Sequence, residues 1–330
     1  EKSPSSFEIS FITKNNTRYR YGFSANETTI TGEWLFQGNK RGETLLFERD
    51  DQKFNIKDKI KRKKILQEMT RENALFISTS AQLNEPICMD VVEWFKEFQT
   101  FTDDSIPPFA ISLLSKDDKF RNTVIENIKI VDPSISDIKY RHEEVSDEKV
   151  RKFLRSNRNR SKWDMFFMLD GEKQIEVSVE TFHKKMNSDG LESVAALKLS
   201  DESQGTCKFF YLLPFVANPN NTNNIIVFDE LESSMHPKML EYIINLYNSY
   251  ANSSSQLIFT THNPWIMRSD LFRRDQIWFT EKDEDGASSL FSLDEFKPEG
   301  KRVRTDESYA KNYLLGKYGA VPFIPEDPCL

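Results

Sequence analysis

Apolar and polar positions alternate through the first part of the chain, then fall into helical spacing, then merge into unbroken runs. Over residues 7–49 the alternation is carried by Phe7, Ile9 and Phe11, by Tyr19, Tyr21 and Phe23, and by Ile30, Trp34 and Phe36. A period of two puts one face of each strand on a core, and the turn-like Asn15-Asn16 and Ala25-Asn26-Glu27 separate the runs. The alternation accounts for these aromatics as core residues, so no base-stacking platform is needed. Residues 53–74 predict a helix with a basic side, Lys57, Lys59, Lys61, Arg62, Lys63 and Lys64, read as a solvated face ahead of a nucleic-acid contact. Ala74 to Ser78 predicts a short strand. Val91, Val92, Trp94, Phe95 and Phe98 predict a mostly apolar helix, and Pro107-Pro108 marks a loop over 103–108.

The middle is less regular. Phe120 to Val131 predicts a helix stopped by Asp132-Pro133-Ser134. Asp137 to Tyr140 and Met165 to Leu169 predict strands, with Gln174 to Val179 pairing after the Asp170-Gly171 turn. Between them lies an arginine cluster, Arg151, Arg155, Arg158 and Arg160, which could meet nucleic acid, a partner protein or water. No heptads are sustained, which excludes a long coiled coil from these residues. Further on, residues 276–280 and 287–292 predict a hairpin around the acidic turn Glu281 to Gly286, and residues 306–316 a last helix.

The unbroken run is Ile225-Ile226-Val227-Phe228, and it stops at Asp229-Glu230. Continuous apolar residues suit a parallel strand buried on both faces. Carboxylates at the C-terminal end of such a strand stand where α/β sheets place ligands. Mg²⁺ takes oxygen ligands, commonly one or two carboxylates plus phosphate, so Asp229 is a candidate metal ligand and Glu230 could polarise an attacking water. For an isolated pair of this kind, capping of the next helix would be the simpler account. Its neighbours add to it. Upstream, Ser203-Gln204-Gly205 opens an apolar helix with Phe209, Phe210, Leu212 and Leu213, and a helix start of this kind offers N–H groups and a hydroxyl to an anion. Downstream, Pro237 suits a first helical turn, with Met239, Leu240, Ile243, Ile244 and Tyr247 on one face. A second strand, Gln256 to Thr261, then ends at His262-Asn263-Pro264. Strand, helix, strand reads as a right-handed crossover.

This series resembles the C-terminal half of an ABC-type ATPase head. Ser203-Gln204-Gly205-Thr206 resembles the signature motif, Asp229-Glu230 the Walker B pair, Ser233 to Pro237 the D-loop, and His262 the switch histidine. Taken with the tail Tyr313 to Phe323, the stretches DESQGT, FDELESSMHP and FTTHNP resemble the stand-alone ATPases of bacterial abortive-infection (phage-defence) loci, relatives of the SMC and overcoming-lysogenization-defect families. The resemblance implies an α/β fold, a P-loop NTPase-like parallel sheet plus an antiparallel β layer with a helical or mixed insertion. It implies a head divided into residues 1–85, an insertion over 86–190 and a C-terminal lobe over 191–330. ATP and Mg²⁺ are the implied cofactors, with Asp229 on the metal, Glu230 as general base and His262 at the γ-phosphate. Ser203, Gln204, Gly205 and Ser234 would reach nucleotide across a head-to-tail homodimer. A toxin or nuclease encoded separately is the implied partner. An SMC-like DNA-processing ATPase and a degenerate scaffold are the alternatives. No G-x-x-x-x-G-K-[ST] occurs, and Gly38 to Thr44 lacks its spacing. The expectation is therefore that a segment carrying the first strand, phosphate loop and first helix precedes Glu1.

Composition narrows the setting. A net charge of −7 gives no global reason to expect nucleic acid, so any such contact needs a local basic patch. Three scattered cysteines, Cys88, Cys207 and Cys329, suit a reducing cytoplasm better than a disulfide framework. No apolar run approaches about 18 residues, the span of a membrane helix, and no signal peptide is visible. His142 and His183 lack Cys or His neighbours at ligand spacing, which argues against zinc. His236 fits either a contact with an opposing subunit or local capping. No Ser-His-Asp or Cys-His set suggests another hydrolase.

Overall fold

The alternating N-terminal stretch folds as an antiparallel meander. In the computed structural model, which describes residues 3–40, 42–101, 118–156, 166–170, 173–186, 192–217, 225–250, 255–297, 303–304 and 307–321, the chain forms two units. The first is Glu1–Gln99 with Asn223–Ile225, the second Thr100–Thr222 with Ile226–Leu330. The architecture is α/β, with one parallel sheet and several antiparallel ones.

In the first unit β1 (Ser5–Ile12), β2 (Arg18–Ala25), β3 (Ile30–Asn39), β4 (Gly42–Asp50) and β5 (Lys53–Ile56) pair in sequence order. Phe11, Tyr19 and Tyr21 are buried, as the alternation predicts, but Phe7 is exposed, and in β3 the buried positions are Glu33 and Leu35 while the expected Trp34 and Phe36 are only half-buried, because that strand turns its other face to the core. Phe11 stacks on Trp94 of helix α3 (Pro86–Phe95) with ring centroids 3.8 Å apart.

Two expectations fail here for tertiary reasons. Residues 53–56 are strand, not helix, because Phe54 and Ile56 take up register opposite Arg49 and Phe47. The basic helix shrinks to α1 (Lys63–Met69), which starts only after Arg62 turns left-handed at φ 52°. The strand expected near Ala74 to Ser78 is instead the start of helix α2 (Phe76–Gln82). The buried carboxylate of Glu33 accepts the N–H groups of Phe76 at 2.6 Å and Ile77 at 2.9 Å, donors that a first helical turn leaves open. That bond from a distant strand outweighs the local β preference of Leu75, Phe76 and Ile77.

β6 (Phe98–Phe101), β11 (Ile225–Phe228) and β12 (Gln256–Phe259) form a sheet with β11 in the middle. The bonds from Ile225 N–H to Glu97 O and from Asp229 N–H to Phe101 O advance together along both strands, as parallel pairing requires. Phe98 therefore begins a strand rather than extending the preceding helix. Helix α7 (Pro237–Tyr250) connects β11 to β12 and buries Leu240, Ile243, Ile244 and Tyr247, the face expected from its spacing. Helix α6 (Gln204–Val216) is buried at every position from Gly205 to Val216 and packs on α7 and on α4 (Asp118–Val131).

A second, antiparallel sheet is centred on β9 (Lys173–Met186), which pairs with β7 (Ile135–Val145), β8 (Phe166–Asp170) and β10 (Glu192–Lys198). Helix α5 (Asp147–Ser156) lies between β7 and β8 and carries Arg151. The strands run longer than their apolar runs because pairing also recruits polar positions. β10, with Ser193 and two alanines, gave no alternation to detect. The expected hairpin forms as β13 (Trp278–Lys282) and β14 (Ser288–Ser292), and the last helix is α8 (Tyr309–Leu314). The loop at 103–108, Arg158, Arg160, Gly171, the tail from Pro322 and Cys329 lie outside the described residues, as do the side chains of His142 and Arg155.

Burial pushes Glu33 up to about 7, against the pull of its donors Ile77, Phe76 and Tyr21 and of the Arg49 charge. Its folded value exceeds the ordinary 4.5, so the stability it contributes is complete below 4.5 and lost as pH rises through about 7. Thermal unfolding should therefore show a midpoint falling across that window in the native protein and a flatter profile in Glu33→Gln.

Candidate functional site

The parallel strand β11 delivers two exposed carboxylates to its C-terminal end, Asp229 and Glu230. One hydroxyl from the neighbouring strand end ties them together. Thr260 Oγ1 donates to Asp229 Oδ1 at 2.6 Å and accepts the Glu230 N–H at 2.8 Å, using both capacities of a hydroxyl. Glu230 sits in the left-handed region at φ 48°, a conformation that costs about 1–2 kcal/mol for a residue with a Cβ. Its backbone is held on both sides, by Thr260 at the N–H and by Lys208 Nζ, which donates to its carbonyl at 2.9 Å. Lys208 is itself buried in α6.

His262 follows β12 and stays exposed. Its Nε2 lies 3.6 Å from Glu230 Oε1, and its backbone N–H donates to Glu232 Oε1 at 2.6 Å. Asp229, Glu230 and His262 thus converge on one strand-end surface.

The serine-glycine turn forms a second cluster. Ser203 caps α6, accepting the Thr206 N–H at 3.0 Å, an ordinary N-cap. Gly205 is buried against the loop after the acidic pair: a Cβ there would stand 2.7 Å from the Ser234 carbonyl. Ser234 is left-handed at φ 62° and donates from Oγ to Gln204 Oε1 at 3.1 Å. Gln204, Gly205 and Ser234 are therefore in direct contact. Among the described residues no hydrogen bond joins this cluster to the side chains of Asp229, Glu230 or His262; α6 links them, with Ser203 at its start and Lys208 further along. His236 accepts the Lys238 N–H at its Nδ1, 3.2 Å away, which is the local-capping arrangement.

The donor set fits a hard cation shared with a ligand. Asp229 offers an exposed carboxylate with only Oδ1 engaged by the protein. Among the described residues no three His, Cys, Asp or Glu side chains gather into a cage, and Mg²⁺ held by few carboxylates plus phosphate needs none. Cys88 and Cys207 add no thiolate, since burial pushes both up to about 12.

The sequence of residues 1–268 matches the model of a family described as AAA domain, putative AbiEii toxin, type IV TA system. The chain belongs to this family. All of the candidate residues, from Ser203 to His262, lie inside the matched span. No curated protein matches the chain. AAA domains are nucleotide-hydrolysing P-loop ATPases, so membership places this chain in an ATPase family associated with toxin–antitoxin systems.

Three further residues, Thr260, Lys208 and Glu232, belong to the site beyond those to which the sequence points. The signal for Lys208 was readable, a lone cation between Cys207 and Phe209 in an apolar helix. Thr260 and Glu232 gave none, since their partners lie about thirty residues away.

Gly205→Ala should force α6 and the 230–236 loop apart and destabilise the protein by about 1–3 kcal/mol, as overpacking does. Ser203→Ala, losing one cap, should cost about 1 kcal/mol. Denaturant unfolding of the two variants measures both.

Proposed function

We propose that this protein is the ATP-hydrolysing subunit of an abortive-infection system, an ABC-type ATPase head that dimerises head to tail on ATP and Mg²⁺ and controls a separately encoded toxin or nuclease. The observation that carries this reading is the acidic strand end: Asp229 and Glu230 oriented by Thr260, with His262 at 3.6 Å from Glu230. Family membership supports the ATPase and its toxin–antitoxin setting. The division into a first lobe over 1–85, an insertion over 86–190 and a C-terminal lobe over 191–330 belongs to the same reading.

In this mechanism Asp229, with its Oδ2 left open, would hold Mg²⁺. Bound Mg²⁺ supplies neutralisation of phosphate charge, the main demand of phosphoryl transfer. Glu230, fixed by its constrained backbone, takes the proton of the attacking water. His262 reaches the γ-phosphate from the neighbouring strand end. In this reading the Ser203–Gly205 turn and Ser234 contact nucleotide held by the opposite subunit. The reading places the protein in the cytoplasm; no helix among the described residues is long and apolar enough to cross a membrane.

Glu230→Gln should bind ATP normally and lose turnover by about 10²–10⁴-fold, the scale of general-base catalysis; undiminished hydrolysis would remove that role. Ser203→Arg should bind ATP yet stay monomeric, whereas the native protein doubles in size with ATP. Sizing with and without nucleotide decides it.

A further inference from the structure

Next to the signature turn stands a polar cluster that the site described above does not use. The core face of β9 carries Val177 and Val179, both buried, and then changes to Thr181 and His183. Thr181 is wholly buried, and the His183 side chain keeps 16% of its exposure. Polar groups on a covered face need partners, and both find the same one. His183 Nε2 lies 2.6 Å from Glu202 Oε1, and the Thr181 hydroxyl donates to that same oxygen. Glu202 is the residue before Ser203, and its side chain is 8% exposed. It has a further tie through its backbone, since Cys207 Sγ lies 3.9 Å from its carbonyl.

On its other side His183 Nδ1 lies 3.2 Å from Ser134 Oγ. Serine, histidine and carboxylate thus do come together, although the sequence suggested no such set. It is not a nucleophile with its base, because Ser134 directs its hydroxyl to Asp132 Oδ1 at 2.5 Å. The chain of bonds instead runs across the sheet: Asp132 and Ser134 at the start of β7, His183 on β9, and Glu202 at the entry to α6. β9 is the strand on which β7, β8 and β10 all pair. A shift of that sheet reaches the Glu202 carboxylate through His183 and its strand neighbour Thr181.

We propose that His183 is a positioning residue that couples the antiparallel sheet to the Ser203 turn, so that the placement of the sheet sets how well that turn engages nucleotide on the opposite subunit. The inference rests on the ATPase reading given above. His183 touches neither nucleotide nor metal in this scheme. Together with Thr181 it holds the Glu202 carboxylate, and Ser203 is the next residue in the chain. The coupling therefore acts on closure of the dimer and on turnover, and leaves each chain's own affinity for ATP unchanged.

The test uses the intact protein and two amide replacements. A Gln amide nitrogen reaches the position of Nε2 and can still donate to Glu202, whereas an Asn amide stops at the position of Nδ1. His183→Asn should lower kcat by about tenfold, the scale of a lost hydrogen bond to a charged group, with KM for ATP within about twofold of native. It should also weaken ATP-driven dimerisation. His183→Gln should restore both, with thermal midpoints of the two variants close together. Native kcat and dimerisation in His183→Asn, or an equal loss in both variants, overturns the coupling while native hydrolysis leaves the ATPase reading standing. A native protein that neither binds nor hydrolyses ATP overturns the function itself.

Discussion

A helix without a solvent face governs this site. From Gly205 to Val216 every residue of α6 is buried, so each polar group it carries must be satisfied within the protein. Lys208 meets that demand by donating to the carbonyl of Glu230, and the missing side chain of Gly205 lets the Ser234 carbonyl approach. The same helix thus holds the backbone of the acidic pair and the loop that follows it. The geometry of both is set by how α6 packs between α4 and α7.

The strand end converts that rigidity into chemistry. Parallel strands present their C-terminal ends to one edge of the sheet, and loops there carry the reactive groups. β11 and β12 are neighbours, so Thr260 on one can orient Asp229 on the other and fix the Glu230 amide. The left-handed turn at Glu230 is an unfavourable conformation kept in place by bonds at both its N–H and its carbonyl. Strain retained where a side chain must point in one direction is a feature of functional sites.

Buried charge recurs as an organising device. Glu33 ends up wholly covered because it closes the first turn of α2, and Arg49 because it donates to the carbonyls of Asp51, Glu72 and Ala74. Glu202 is covered because it takes His183 and Thr181. In each case a group whose removal from water is costly is matched to donors or acceptors from distant segments, and a displaced segment would leave it unpaired.

By itself the sequence determined the periodic elements: the meander of alternating aromatics, the buried parallel strand ending at Asp229-Glu230, the amphipathic crossover helix after Pro237, and the helix that Ser203 caps. Each of these is local, fixed by side-chain spacing or by a capping residue within a few positions. Tertiary structure alone decided the rest. Residues 53–56 became strand because β4 offered an edge, and residues from Phe76 became helix because Glu33 supplied the missing acceptors. Thr260, Lys208 and Glu232 entered the site, and His183 met Glu202, through bonds between residues about twenty or thirty positions apart. Neither periodicity nor local propensity records such pairings, because they exist only once separate strands and helices have packed.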